Sequence, residues 1–154
     1  MKNNQKIQLT KVGYASLKLE YEDLVNNKRP QLVERLSNAR GEGDLAENSD
    51  YSNARDELEF LDGRIEELKA VLENADIMSG KTNGKVNVGT RVVVGVNGNK
   101  QAFSIVGEWE ADPSNKKISS SSPLGLALIN KAVGDSVEVE APAGKVLYKI
   151  LSIE

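Results

Sequence analysis

The sequence predicts an α+β protein: an N-terminal antiparallel α-helical coiled-coil hairpin over 1–78, then a small α+β domain over 85–154. Three observations support this. Apolar residues in the first half recur at alternating steps of three and four, the period of a helical seam. A polar stretch, Gly43-Asp44-Leu45-Ala46-Glu47-Asn48-Ser49-Asp50, separates two such stripes. After Ser79-Gly80-Lys81-Thr82-Asn83-Gly84 the composition shifts toward Gly, Asn, Val and Ser, with short β-branched runs between turn residues.

The first stripe comprises Tyr14, Leu17, Tyr21, Leu24, Val25, Leu32, Val33, Leu36 and Ala39, and is less regular around Pro30. Proline inside a helix removes a hydrogen bond and costs about 3 kcal/mol. The stripe nevertheless resumes at Leu32, which favours a kinked continuation; the alternative is a separate helix from Pro30 to Arg40. The second stripe, Tyr51, Ala54, Leu58, Leu61, Ile65, Leu68, Leu72 and Ala75, is a regular a/d seam. Joined by a short polar link, the two should pack as an αα-hairpin with its tip at 41–50. Helices of roughly 25–30 residues make a rod of about 40–45 Å, long enough to reach into something else.

Residues 79–84 read as a linker. Beyond it, Arg91–Val96 and Gln101–Val106 read as strands joined at Asn97-Gly98, a pair suited to a turn with positive φ at both central residues. Ile118 marks a further strand. Ser122-Pro123 opens a short helix over Pro123–Lys131. Val137-Glu138-Val139-Glu140 alternates as a strand, and Lys145–Ile153 forms the last one after a Pro142-Ala143-Gly144 turn.

Composition narrows the chemistry. The chain has 154 residues, no Cys and no His, which excludes disulfides, thiolate zinc sites and imidazole catalysis. Acid–base or metal chemistry must therefore use carboxylates. No apolar run reaches a membrane span and Met1–Lys6 lacks the apolar core of a signal peptide, so a cytoplasmic protein with no membrane partner is expected. Residues 1–78 carry 11 Lys and Arg against 16 Asp and Glu, net −5, whereas 79–154 carry 9 against 7, net +2. Non-specific duplex binding, which needs a basic face, is disfavoured.

Asp44 and Glu47 lie three residues apart, a spacing that one helical turn brings to the same side. Paired carboxylates suit Mg²⁺, but two alone leave most of its six oxygen positions unfilled. A completed site would need ligands from a partner. On spacing alone, the other reading is of solvated turn residues at a helix N-terminus, favoured by its dipole.

The string Ala39-Arg40-Gly41-Glu42-Gly43-Asp44-Leu45-Ala46-Glu47-Asn48-Ser49-Asp50-Tyr51-Ser52-Asn53-Ala54-Arg55 closely resembles the tip signature of bacterial Gre transcript cleavage factors. A second block, Ile118-Ser119-Ser120-Ser121-Ser122-Pro123-Leu124-Gly125-Leu126-Ala127-Leu128 with Lys131 and Gly134-Asp135, resembles the family's C-terminal signature. The resemblance covers essentially the whole chain. It is nearer the GreA branch than the GreB branch, because the stem lacks a strongly basic face.

The resemblance implies a coiled coil that enters the secondary channel of RNA polymerase and a C-terminal domain of FKBP-like fold that docks at the channel rim. It implies that Asp44 and Glu47 are the catalytic acids, sharing a Mg²⁺ completed in the polymerase active site. The backtracked RNA 3′ end would then be hydrolysed by two-metal chemistry. The chain would stimulate the polymerase's own cleavage and not be an enzyme by itself. Arg40, Asn48, Tyr51 and Arg55 are the expected RNA or polymerase contacts, and Ser122, Pro123 and Leu124 the docking segment. Stem salt bridges with Asp44, Asp50 or Glu57 are the alternative for Arg40 and Arg55, helix capping for Asn48, and seam packing for Tyr51. A monomer is expected, since one hairpin satisfies its own seam. Two departures stand out: Asn130 where the family usually has Gly, and the additional acid Glu42.

Three other readings compete. A non-cleaving channel-binding regulator would share the fold, but the Asp-x-x-Glu-Asn spacing favours cleavage. A prolyl isomerase would need an aromatic pocket, and 79–154 offers only Phe103, Trp109 and Tyr148. A plain coiled-coil interaction protein leaves the tip motif unexplained.

Overall fold

The computed structural model describes residues 6–41 and 49–154. Its contacts divide the chain into two units, Met1–Tyr14 with Ala75–Glu154, and Ala15–Asn74. The sequence reading placed the divide at 79–84; in the structure the chain leaves one unit after residue 14 and returns to it at 75. Two short strands mark those crossings. Strand β1 (Ile7–Thr10) pairs in parallel with β2 (Ala75–Met78), Ile7 opposite Ala75 and Thr10 opposite Met78. Ala75, expected to close the helical seam, instead opens β2.

Thr10 ends β1 and caps the helix that follows, its hydroxyl oxygen accepting from the Gly13 amide at 3.0 Å. The Glu110 carboxylate in turn accepts from the Thr10 amide at 2.8 Å, from the Gly107 amide at 3.3 Å, and from the Thr10 hydroxyl. A side-chain acceptor at a helix start is worth about 1 kcal/mol. The bonds from Glu110 fasten this corner to the segment after the central strands.

Helix α1 (Lys11–Asp23) passes through a π-helical turn, Leu24–Lys28, into α2 (Arg29–Arg40). The path is helical through Pro30, with one widened turn where a kink or break was weighed. The widening has two causes. The Arg29 amide bonds to the Leu24 carbonyl, five residues back, which relieves the crowding a proline ring creates against a carbonyl four residues earlier. The inward side chains Leu17, Leu24, Leu32 and Ala39 step by seven, eight and seven, and an eight-residue step fits a heptad seam only if one residue is looped out. The π turn holds that residue.

Helix α3 (Ser49–Glu73) runs back along α2. At 1.5 Å per residue, its 25 residues extend about 37 Å. Ala54, Leu61, Leu68 and Val71 are buried, and the seam positions Tyr51, Leu58, Ile65 and Leu72 are half-buried. Val71 widens the stripe beyond the expected positions.

The C-terminal sheet has the order β5-β4-β3-β7-β6. Strands β3 (Arg91–Val96) and β4 (Asn99–Val106) form the expected hairpin, with Asn97 at φ 52° and Gly98 at φ 79°. Both positive angles match a type I′ turn, and Asn and Gly adopt them most readily. Strand β5 (Lys117–Ser119) lies parallel to β4. Strands β6 (Ser136–Ala141) and β7 (Gly144–Ile153) form a second hairpin that joins β3 through β7, with a register shift between Val93 and Val94.

One hydrophobic cluster underlies the sheet: Val86, Val88, Val92, Val94, Phe103, Ile105, Leu128, Val137 and Ile150 are buried together. Each such side chain contributes about 1.5–3 kcal/mol on leaving water. The α+β class predicted by the sequence is the class observed. Among the described residues no helix is long and apolar enough to cross a membrane.

Candidate functional site

Asp44, Glu47 and Asn48 lie outside the described residues, as does Glu42. The stem that presents them is described on both sides. Helix α2 ends at Arg40, capped by Gly41, and α3 opens at Ser49. Ala39 and Ala54, one on each helix, are buried; two side chains this small let helix axes come close near the tip.

Polar pairs hold the helices in register. The Arg35 guanidinium donates to Asp50 at 2.9 and 3.2 Å and to Glu57 at 3.0 Å. Hydrogen bonding to Asp50 and then to Glu57 pushes the Arg35 pKa up from its ordinary value. Arg29 reaches Asp62 at 2.8 Å, and Arg64 reaches Glu20 at 3.0 Å. Successive pairs thus run forward from α1 to α2, through Glu20, Arg29 and Arg35, as they run backward on α3, the signature of an antiparallel packing. These exposed pairs set geometry more than stability. Arg35 thus engages Asp50, the first acid of α3, and Glu57 two turns further on. The sequence reading overlooked Arg35; its place opposite Asp50 and Glu57 follows once the hairpin is folded in register.

The other tip residues separate by exposure. Arg40 is exposed at the last position of α2 and makes no ion pair among the described residues. Arg55 is exposed and lies 3.9 Å from Asp56, beyond hydrogen-bonding distance. The pairing with Asp50 or Glu57 weighed for these two arginines falls to Arg35. Tyr51 is half-buried in the seam. Among the described residues there is no group of three or more His, Cys, Asp or Glu able to hold a metal ion.

The second block forms helix α4 (Pro123–Leu128), shorter than expected because Ile129 leaves helical geometry and Asn130 takes φ 65°. Asn is among the residues that tolerate this left-handed region, so it fills a place that would also suit Gly. The Ser122 hydroxyl accepts from the Gly125 amide at 3.0 Å and donates to the Ser119 carbonyl at 2.7 Å. Ser122 therefore caps α4 and ties it to β5. Pro123 is exposed, whereas Leu124 is half-buried and packs against the core cluster. Leu126, which the sequence reading did not single out, is 67% exposed on the same turn. The spacing held the signal: Leu124 and Leu128, four apart, share the inward face, and Leu126 faces away. Gly125 is buried, and a β-carbon there would lie 2.0 Å from the Ser119 carbonyl oxygen.

Comparison with known proteins supplies the wider context. Residues 7–77 match the family model "Transcription elongation factor, N-terminal", and residues 81–154 match "Transcription elongation factor, GreA/GreB, C-term". The transcription elongation factor GreA of Ruegeria pomeroyi is 40% identical over 153 residues, spanning 97% of this chain and 98% of that protein. GreA of Clostridium acetobutylicum is 41% identical over 158 positions, spanning all of both chains. The crystal structure of GreA factor homolog 1 (Gfh1) of Thermus thermophilus is 27% identical over 97% of this chain and 99% of that one, with a TM-score of 0.45. The chain belongs to the GreA/GreB family of transcription elongation factors, and its relatives at about 40% identity are of the GreA type.

Proposed function

We propose that this chain is a transcript cleavage factor for bacterial RNA polymerase. Its helical hairpin enters the polymerase secondary channel and stimulates hydrolysis of the 3′ end of backtracked RNA. The observation that carries this reading is the string Gly43-Asp44-Leu45-Ala46-Glu47-Asn48, set between α2 and α3 of a chain whose halves both match elongation-factor models. The polymerase performs the chemistry, and the chain, acting as a monomer, completes its site.

In this reading Asp44 and Glu47 hold a Mg²⁺ jointly with the polymerase. Two carboxylates are hard oxygen donors that fit this ion, and the remaining positions fall to polymerase groups and water. When bound, Mg²⁺ supplies a water of lowered pKa and offsets charge on the phosphate. The same carboxylates orient the attacking water, and Asn48 orients Glu47. Arg40 and Arg55 offer planar guanidinium forks to RNA phosphates or polymerase carboxylates, and Tyr51 is a further contact for RNA or polymerase. Ser122, Pro123 and Leu124 dock at the channel rim, with Leu126 adding exposed apolar surface on the same turn.

The test is cleavage of labelled RNA in a backtracked elongation complex. Wild type with Mg²⁺ should shorten the transcript, chelation should stop it, and Asp44→Asn or Glu47→Gln should abolish it while polymerase affinity stays nearly unchanged. Competition for polymerase without cleavage by wild type would favour the non-cleaving regulator. Equal loss of binding and cleavage in both variants would give the tip acids a structural role.

A further inference from the structure

The start of the first stem helix is closed by a residue from far along the chain. The Thr10 hydroxyl oxygen accepts from the amide of Gly13, the third residue of α1. In a capping box that third residue is Glu or Gln, and its side chain reaches back to the amide of the capping residue. Here it is Gly13, and the first turn of α1 carries no acid. The Glu110 carboxylate takes the role instead: it accepts from the Thr10 amide at 2.8 Å and from the Thr10 hydroxyl. The box is completed by a side chain 100 residues away.

Two glycines make room for it. A β-carbon on Gly13 would stand 1.9 Å from a Glu110 carboxylate oxygen, so any other residue there displaces the acid. Glycine is a poor helix former, and this seat accounts for its place in α1. A β-carbon on Gly107 would stand 1.8 Å from the Gln8 carbonyl oxygen, so the segment that carries Glu110 lies directly on β1. The same carboxylate accepts from the Gly107 amide at 3.3 Å. One acid thus holds the amide that precedes its own 3₁₀ turn, Glu108–Glu110, and the amide that precedes α1.

We propose that Glu110 is a positioning residue for transcript cleavage, fixing the first turn of α1 to the unit that carries the docking segment. This inference rests on the reading of the chain as a transcript cleavage factor. Residues 11–14 of α1 belong to the sheet unit, and the helical unit begins at Ala15. The amides at a helix start have no partners within the helix, and without a cap the first turn frays. A rod as long as α3, about 37 Å, amplifies any play at its base: a tilt of about 5° moves the far end by about 3 Å. A misplacement of about 1 Å can cost about a hundredfold in rate. Glu110 acts through the first turn of α1 and not on the RNA.

The experiment uses the full chain and a backtracked elongation complex of bacterial core RNA polymerase. It compares wild type, Gly13→Ala, Glu110→Ala and the double variant Glu110→Ala/Gly13→Glu by Kd, cleavage rate at saturating factor, and amide exchange at Thr10. Gly13→Ala displaces the carboxylate while favouring the helix. The double variant rebuilds a local capping box but leaves the tie to the sheet unit cut. Both single variants should speed exchange at Thr10 and lower the saturated cleavage rate by about tenfold or more. Their Kd should stay within about threefold of wild type. The double variant should return exchange and melting temperature toward wild type while its rate stays low, a split that separates positioning from stability. A saturated rate for Glu110→Ala within about twofold of wild type overturns the proposal. Recovery of the rate together with exchange in the double variant makes Glu110 a cap alone and also overturns it. If Glu110→Ala melts below the assay temperature, Gly13→Ala and the double variant make the same comparison. Wild type that fails to cleave removes the cleavage reading and the proposal together, whereas wild-type cleavage that both single variants retain removes the positioning role alone.

Discussion

At the scale of single residues, the C-terminal motif is held by close backbone packing. The Ser119 carbonyl accepts from the Ser122 hydroxyl and lies where a Gly125 β-carbon would stand. Gly125→Ala must push α4 away from β5 or displace the Ser119 carbonyl, and overpacking of this sort costs about 1–3 kcal/mol. The melting temperature should fall by about 3–10 °C in a chain of this size, which calorimetry would detect. Leu124 and Leu126 show how far residue types can be read from the sequence. Both lie in a matching block, and the four-residue step from Leu124 to Leu128 is what tells which of the two faces the core.

At the scale of elements, the first arm of the hairpin is shaped by a counting problem. Its inward residues step by eight between Leu24 and Leu32, and Pro30 sits inside that step. If proline alone caused the widened turn, Pro30→Ala would restore an ordinary helix and stabilise the stem by about 3 kcal/mol. The spacing of the seam makes a different outcome the expected one. The π turn persists in Pro30→Ala, and the melting temperature rises by less than about 3 °C; a crystal structure or amide exchange at Arg29 would establish the turn. The eight-residue step was visible in the sequence as irregularity around Pro30. Its structural meaning required knowing that the helix continues. The β3–β4 hairpin was plain from Asn97-Gly98, because a two-residue turn with that chemistry is a local signal.

At the scale of the whole molecule, the helical hairpin is inserted into the other unit, with β1 before it and β2 after it. This is the part of the architecture that the sequence hid. Four-residue strands joined only through 11–74 carry no local pairing signal, and Val86 and Val88 lie just past a stretch that reads as a linker. A fragment starting at residue 79 therefore lacks fully buried Leu9 and the Thr10–Glu110 bonds. It should melt below a chain in which 15–74 are replaced by a short Gly-Ser linker, as thermal denaturation of the two would show. Equal melting temperatures would mean that the β1–β2 corner adds nothing to the sheet unit. The parallel β1–β2 pair also bears on how the chain reaches its native state. Bringing Thr10 and Ala75 together across a disordered segment of that length carries a large loop-closure entropy, and distant pairings slow folding. Once the antiparallel helices pair, Thr10 and Ala75 are no longer separated by a disordered segment and the effective loop becomes short. Pairing of the helices thus eases the closure of β1 on β2, and weakening their seam would delay maturation of a sheet to which they do not belong.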